Sequence, residues 1–168
     1  MTYTFLTARG VDVGGTKVTE EELAAAQPLH AGERKKIVLP VDYHSAKSDD
    51  LAQTKVCDSG IPAGYEGVDI GSRTIKLYSD EIAKAGTVIW NGPVGWFEQS
   101  AFSGGTKALA AAMAASGATT VVGGGETAEA VEQFGHDAAM THVSTGGGAF
   151  LAYVEGKKFQ SLAQIDDK

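Results

Sequence analysis

Two triple-glycine segments, each placed just after a short β-branched run, constrain most strongly what this chain can fold into. Thr119–Val122 runs directly into Gly123–Gly125, and Thr141–Ser144 is followed, one residue later, by Gly146–Gly148. Glycine tolerates backbone conformations that other residues avoid, and it lets main-chain N–H groups approach a ligand closely. A strand that ends in glycines and leads into a helix is therefore either a tight turn or a phosphate-binding junction.

Strand-like and helical patterns alternate along the chain. Strands are predicted at residues 37–39, 87–90, 119–122 and 141–144. One helix is predicted to begin at Thr19–Glu21, and others are predicted around Ile75–Ile82, Leu109–Met113, Ala128–Phe134 and Leu151–Val154. Such alternation predicts an α/β fold: a three-layer, Rossmann-like, mostly parallel sheet with helices on both faces. The glycine-containing stretch from Tyr43 to Gly71 shows no clear periodicity. It is predicted to be irregular, with one short strand near Lys55–Cys57.

Composition excludes several classes of function. The net charge of −7 opposes non-specific binding of nucleic acid, which needs a basic surface. The longest small-apolar stretch, Ala108–Ala115, is far too short to span a bilayer, and the N-terminus does not resemble a signal peptide. A single cysteine, Cys57, suits a reducing compartment. We expect a cytoplasmic protein that binds neither nucleic acid nor membrane.

The glycine clusters predict a polyphosphate site. In open parallel sheets, ligands bind beyond the carboxyl ends of the strands, and two neighbouring strand–helix junctions there would face one ligand. Neither cluster matches the Walker-type loop or the dinucleotide fingerprint. Tight turns without a ligand remain the alternative explanation for each cluster.

Single residues near these junctions allow two interpretations each. Glu126, in the first turn of a predicted helix, either complements the helix dipole or contacts a phosphate-bound Mg²⁺. Glu98 either holds ribose hydroxyls or is an ordinary surface acid. His142 is expected to be structural, and the other histidines lack metal-ligand spacing.

These segments, in this order and spacing, resemble phosphoglycerate kinase over essentially the whole chain. The similar segments are Tyr3–Leu6, Leu39–Asp42, Asp69–Gly71, Thr74–Ile75, Trp90–Gly95, Phe97–Glu98, Gly105–Lys107, Gly123–Ala128 and His142–Ala149. The resemblance implies Mg²⁺-dependent phosphoryl transfer between ATP and 3-phosphoglycerate. It also implies two Rossmann-like lobes, of which the C-terminal one binds ATP or ADP.

The resemblance also implies roles for residues. Catalytic N–H groups near the transferring phosphoryl would come from Gly125, Gly146, Gly147 and Gly148. Asn91, Gly92, Pro93 and Val94 would border the adenosine, and Glu98 would hold the ribose. Gly123, Gly124, Gly125 and Thr127 would lie along the phosphates, with Glu126 at the metal position.

The chain departs from the family pattern in three residues and in extent. Glu126 stands where Asp is usual, Ser72 where Pro is usual, and Lys17 where an apolar residue is usual. Residues 1–168 are expected to form one partial nucleotide-binding domain without the phosphoglycerate-binding lobe. Such a chain is expected to lack kinase turnover and to bind 3-phosphoglycerate only with the missing lobe. It is also expected either to be marginally stable or to self-associate. The alternative is a non-catalytic remnant of the same fold.

Overall fold

The computed structural model describes residues 1–32, 36–58, 60–159 and 164–165. The chain divides into two compact units, one formed by Met1–Glu81 and Val94–Leu109 and the other by Ile82–Pro93 and Ala110–Lys168. Among the described residues, no helix combines the length and apolarity that a bilayer crossing requires. That residues 1–168 form one partial nucleotide-binding domain remains a prediction.

The first unit contains a three-stranded antiparallel sheet. Its strands are β1 (Tyr43–Lys47), β2 (Asp50–Cys57) and β3 (Tyr65–Ile70), in the order β2-β1-β3. The prediction that this stretch is irregular was therefore wrong, and the short strand near Lys55 is the end of an eight-residue strand. The first five residues of β2 are all exposed and mostly polar, so the strand lacks the alternation that marks a half-buried strand.

Residues 37–40 have no regular secondary structure, which contradicts the strand predicted at 37–39. Leu39 instead packs against a cluster of Leu6, Val13, Tyr43 and Ile61. Two carbonyl groups of this segment accept hydrogen bonds from tyrosine hydroxyls: Tyr43 donates to the Pro40 carbonyl at 3.1 Å, and Tyr78 donates to the Val38 carbonyl at 3.3 Å. A run of three apolar residues can fill a core without pairing with a neighbouring strand. Its sequence pattern alone does not distinguish a β-strand from an irregular core segment.

Among the described residues of this unit, three α-helices begin in addition to the short α1 (Thr2–Ala8), which the sequence pattern did not predict. They are α2 (Glu20–Gly32), α3 (Ser72–Ile82) and α4 (Gly104–Ala115), and the last residues of α3 and α4 belong to the second unit. A capping box holds the start of α2: the Thr19 N–H donates to Glu22 Oε2 at 2.8 Å, and the Glu22 N–H donates to Thr19 Oγ1 at 3.2 Å.

Asp69, a buried carboxylate, fixes the start of α4. Its Oδ2 accepts the Gly105 N–H at 2.7 Å, and its Oδ1 accepts the Ile70 N–H at 2.8 Å. Burial raises the pKa of this carboxyl, although the two amides partly oppose that shift. A Cβ on Gly95 or Gly105 would overlap the Asp69 carboxylate, so both positions need glycine.

The second unit contains a three-stranded parallel sheet, in the order β4-β5-β6. The strands are β4 (Thr87–Asn91), β5 (Thr119–Gly123) and β6 (His142–Ser144). Helix α5 (Gly125–Gln133) packs against β5 and β6, and α6 (Gly147–Val154) packs against β5. The predicted α/β fold, with a parallel sheet flanked by helices, is confirmed here. The antiparallel sheet of the first unit is an addition to it.

Candidate functional site

The three parallel strands end side by side at their carboxyl ends. Asn91 is in register with Gly123, and Gly123 is in register with Ser144. The residues that follow β5 and β6 therefore leave the sheet at the same edge. This is the edge at which ligands bind in open α/β sheets.

The two triple-glycine segments meet at this edge. The Gly124 N–H donates to the Ser144 carbonyl at 2.9 Å, and a Cβ added to Gly147 would lie 3.3 Å from the Gly124 Cα. The β5–α5 and β6–α6 junctions thus contact each other through main-chain atoms. The arrangement that the sequence predicted, with neighbouring strand–helix junctions facing one space, is present.

Gly124 forms a turn that other residues would resist. Its φ of +99° lies in the region that L side chains rarely adopt, and its Cβ would meet Asn91 Nδ2 at 3.1 Å. The Asn91 amide itself donates to the Gly123 carbonyl at 2.7 Å. The end of β4 therefore anchors the turn that leads from β5 into α5.

Thr127 provides a second brace between β4 and α5. Its side chain is 1% exposed, and its Oγ1 accepts the Gly92 N–H at 2.8 Å. The carbonyl group of Gly92 in turn accepts a hydrogen bond from the Trp90 indole N–H at 2.7 Å. Trp90 is buried, so Gly92 is fixed from two directions.

An open pocket of about 380 Å³ lies over these junctions. Its lining residues come from the strand ends and helix starts of the second unit: Asn91, Gly92, Gly124, Gly125, Glu126, Thr127, Gly147 and Leu151. An added Cβ on Gly125 would meet nothing within 4 Å outside its own turn of the helix, so no other segment fills the space beside it. Leu151 has no polar atom in its side chain, and the sequence pattern gave no sign that it would line the pocket.

The starts of α5 and α6 direct main-chain amides toward this edge. The first N–H groups of a helix have no partner within the helix, and the helix dipole adds partial positive charge there. Gly124 and Gly146, which precede α5 and α6, have no side chain that could cap these amides. At α6, the Gly146 N–H donates to Ser144 Oγ at 3.4 Å and the Gly147 N–H donates to the Thr145 carbonyl at 3.2 Å. Such a site suits an anion, and phosphate in particular.

Glu126 is the only carboxylate among the pocket-lining residues, and it is exposed in the first turn of α5. Within the described part of the chain, no group of three or more His, Cys, Asp or Glu residues could enclose a metal ion. A cation here would share Glu126 with ligand oxygens. That donor set fits Mg²⁺, which commonly keeps phosphate and water oxygens with one or two carboxylates.

Some predicted site residues lie outside this pocket's lining: Gly123, Gly146 and Gly148 at the junctions, and Pro93, Val94 and Glu98. Pro93 is half-buried at the end of the first segment of the second unit, whereas Val94 and Glu98 belong to the first unit. The Val94 N–H donates to Thr106 Oγ1 at 3.2 Å, and Glu98 is an exposed side chain after buried Phe97. The adenosine- and ribose-binding roles of these residues remain predictions.

Comparison with known proteins identifies the family. The sequence model described as phosphoglycerate kinase matches residues 1–157. The chain belongs to the phosphoglycerate kinase family. Phosphoglycerate kinases of Clostridium botulinum and Anaeromyxobacter are 46% and 48% identical to it, each over 99% of this chain and 43% of the relative.

Solved structures of the family have the same fold. Phosphoglycerate kinase from Coxiella burnetii matches with a TM-score of 0.85 and 41% identity, over 93% of this chain and 42% of that one. The enzyme from Pyrococcus horikoshii matches with a TM-score of 0.83 and 30% identity, over 96% of this chain and 42% of that one. The chain thus spans less than half the length of these phosphoglycerate kinases.

Proposed function

We propose that this chain is the nucleotide-binding part of a phosphoglycerate kinase and holds the phosphates of ATP or ADP at the β5–α5 and β6–α6 junctions. The observation that carries the proposal is the contact between Gly124 and Gly147 beside an open pocket. Two helix starts facing one space supply amide donors and favourable dipoles for a polyphosphate. The pocket volume lies within the range of small-molecule sites.

In the complete enzyme, phosphoryl transfer depends on positioning and on stabilising the charge of the moving phosphoryl group. The main-chain N–H groups of Gly125 and Gly148 would serve that purpose as fixed donors. Those of Gly146 and Gly147, which donate to Ser144 Oγ at 3.4 Å and to the Thr145 carbonyl at 3.2 Å, would exchange these bonds for a phosphoryl oxygen. Mg²⁺ bound with the nucleotide would neutralise phosphate charge. Glu126 would hold that ion from the first turn of α5, directly or through water.

The acceptor substrate in this proposal, 3-phosphoglycerate, binds only together with the remainder of the family's fold. A chain with one substrate site cannot orient two substrates, and orientation is a large part of the rate acceleration. We therefore expect saturable binding of Mg-ADP in calorimetric titration but no ATP formation from 1,3-bisphosphoglycerate in a coupled assay. Turnover by this chain alone would refute the second expectation. Absence of nucleotide binding would instead favour a non-catalytic remnant of the fold. A glycolytic role also implies a cytoplasmic location.

Replacing Glu126 by Gln tests the metal role. Loss of one charge beside a divalent cation at an exposed site is expected to weaken Mg-ADP binding about fivefold, corresponding to about 1 kcal/mol. Binding of ADP in the presence of EDTA should not weaken, because Glu126 then faces phosphate without an intervening cation. Calorimetric titration with and without Mg²⁺ measures both affinities.

Glu129→Gln is the matched control, since Glu129 is an exposed carboxylate one turn further along α5. It should leave the Mg-ADP affinity within twofold of the wild-type value. Equal losses in the two variants would show that general helix charge, rather than a metal contact at Glu126, sets the affinity.

A further inference from the structure

Gly123, the last residue of β5, is required to be glycine by a side chain of another element. Its backbone is that of a strand and lies outside the left-handed region, so any residue could adopt it. A Cβ on Gly123, however, would overlap the ring of Phe150 in α6. Gly123 also lies outside the lining of the open pocket. The space that glycine leaves at this position is therefore filled by the aromatic ring.

Phe150 holds α6 on the end of β5. The structure describes all of α6, and its large apolar side chains are Phe150, Leu151, Tyr153 and Val154. Phe150 is half-buried, whereas the other three are exposed. The helix packs against β5 although none of its residues is fully buried. Of the four, Phe150 is therefore the side chain that attaches the helix to the strand.

The same side of α6 carries Gly147, which contacts the β5–α5 junction. Residues three apart in a helix lie on one side of it, so Gly147 and Phe150 face β5 and its continuation together. The first turn connects them, since the Phe150 N–H donates to the Gly146 carbonyl at 2.8 Å. A Cβ on Gly147 would lie 3.3 Å from the Cα of Gly124, the residue after Gly123. The position of the ring on Gly123 thus determines how closely the start of α6 approaches the start of α5.

We propose that Phe150 is a positioning residue of the phosphate site: its ring, packed on Gly123, sets the spacing between the β5–α5 and β6–α6 junctions. The inference rests on the proposed function, because a polyphosphate that bridges two helix starts needs both sets of amides within hydrogen-bond distance. Phe150 acts through α6, since it is not among the pocket-lining residues. Glycine at position 123 accommodates the ring, and the nucleotide does not require it.

Nucleotide binding by four proteins tests the proposal. Calorimetric titration with Mg-ADP compares the wild type, Gly123→Ala, Phe150→Ala and the double variant. Gly123→Ala is expected to weaken binding about tenfold or more, because its methyl group displaces the ring and with it the start of α6. Phe150→Ala should weaken binding about fivefold, because α6 loses its contact with β5. The double variant should bind within about twofold of Phe150→Ala, since the added methyl group then meets no ring.

The double variant distinguishes the two explanations for Gly123. If the nucleotide itself needed a bare backbone there, Gly123→Ala would weaken binding about tenfold in the Phe150→Ala background as well, and the proposal would be overturned. Wild-type affinity of Gly123→Ala would overturn it too. Thermal melting follows the folding of each variant. Should Gly123→Ala not fold, the double variant must recover both a cooperative transition and the affinity of Phe150→Ala, and its failure to do so would contradict the proposal.

Gly117→Ala and Tyr153→Ala are the matched controls. A Cβ on Gly117, just before β5, would meet nothing within 4 Å, and Tyr153 is 68% exposed on α6. Both variants should keep the Mg-ADP affinity within about twofold of the wild-type value. A loss in Tyr153→Ala equal to that in Phe150→Ala would show that removing any aromatic ring from α6 weakens binding, which would overturn the role of Phe150.

Spectra without nucleotide separate this proposal from the proposed function. The amide resonances of Gly124 and Gly147 in a ¹H–¹⁵N spectrum should shift strongly in Gly123→Ala. In the double variant they should return to their positions in Phe150→Ala. Absence of Mg-ADP binding by the wild type would refute the proposed function. Unchanged Gly124 and Gly147 resonances in Gly123→Ala, with normal binding by the wild type, would refute the positioning role alone.

Discussion

Asp42→Ala is expected to lower the free energy of unfolding by about 3 kcal/mol, because it removes the buried carboxylate that holds the start of α3. Asp42 is 1% exposed. Its Oδ1 accepts the N–H of Thr74 at 2.8 Å and the Thr74 hydroxyl at 2.6 Å, and its Oδ2 accepts the Arg73 N–H at 3.0 Å. Alanine leaves the two main-chain N–H donors without their acceptor, whereas the Thr74 hydroxyl keeps the Asp42 carbonyl, at 3.0 Å. Urea denaturation at neutral pH measures the loss.

The pH dependence of this loss has a defined sign. Burial by itself raises the pKa of Asp42, but hydrogen bonds from Thr74 and Arg73 outweigh burial and lower it. A lowered pKa stabilises the fold above the unfolded-state value, about 3.9, and this stabilisation disappears as pH falls through the folded-state value. The difference in unfolding free energy between wild type and Asp42→Ala should therefore stay constant from pH 7 to about pH 4 and narrow below that.

Asp80→Ala in the same helix is the control. Asp80 forms an exposed pair with Lys76 at 2.7 Å, four residues earlier, and such surface pairs contribute little. Its loss should stay below about 0.5 kcal/mol. Similar losses in the two variants would show that the Asp42 network does not hold α3.

Local patterns along the chain predicted the parallel part of the fold. Each of β4, β5 and β6 is a short apolar or β-branched run that ends near glycine, and α5 and α6 follow two of them directly. Because parallel strands end at a common edge, the meeting of Gly124 and Gly147 followed from their positions in the sequence. The candidate site was predictable to this extent.

The antiparallel sheet was not predictable in the same way. β2 presents polar and apolar residues alike to solvent, so no period of two appears in its sequence. The Asp42 network was missed for another reason: its partner Thr74 lies 32 residues away in the sequence. Buried polar contacts of this kind depend on how segments pack, and periodicity carries no information about them.

Thr127 illustrates the same limit within the site. The resemblance to the family places it along the phosphates, whereas its Oγ1 accepts a hydrogen bond from Gly92, 35 residues earlier. The two descriptions are compatible, because a hydroxyl that accepts one hydrogen bond can still donate its own proton. The bond nevertheless gives Thr127 a positioning task that the sequence did not reveal: it fixes Gly92 beside the start of α5.

Thr127→Val is expected to weaken Mg-ADP binding about tenfold and to lower the free energy of unfolding by about 1 to 2 kcal/mol. Valine keeps the volume of threonine but cannot accept the Gly92 N–H, so the pocket wall between Gly92 and α5 loses its brace. Thr127→Ser keeps the hydroxyl and should restore most of the affinity. Calorimetric titration gives the affinities, and the amide resonance of Gly92 in a ¹H–¹⁵N spectrum reports the bond directly.

The amide of Gly92 separates positioning from general destabilisation. It should shift strongly in Thr127→Val and only slightly in Thr127→Ser. Thr119→Val, at an exposed position in β5, should change neither that resonance nor the affinity. If Thr127→Val bound Mg-ADP like the wild type while its Gly92 resonance moved, the brace would exist without shaping the nucleotide site. The width of the pocket would then be set by the Asn91–Gly123 hydrogen bond and the Gly124 turn alone.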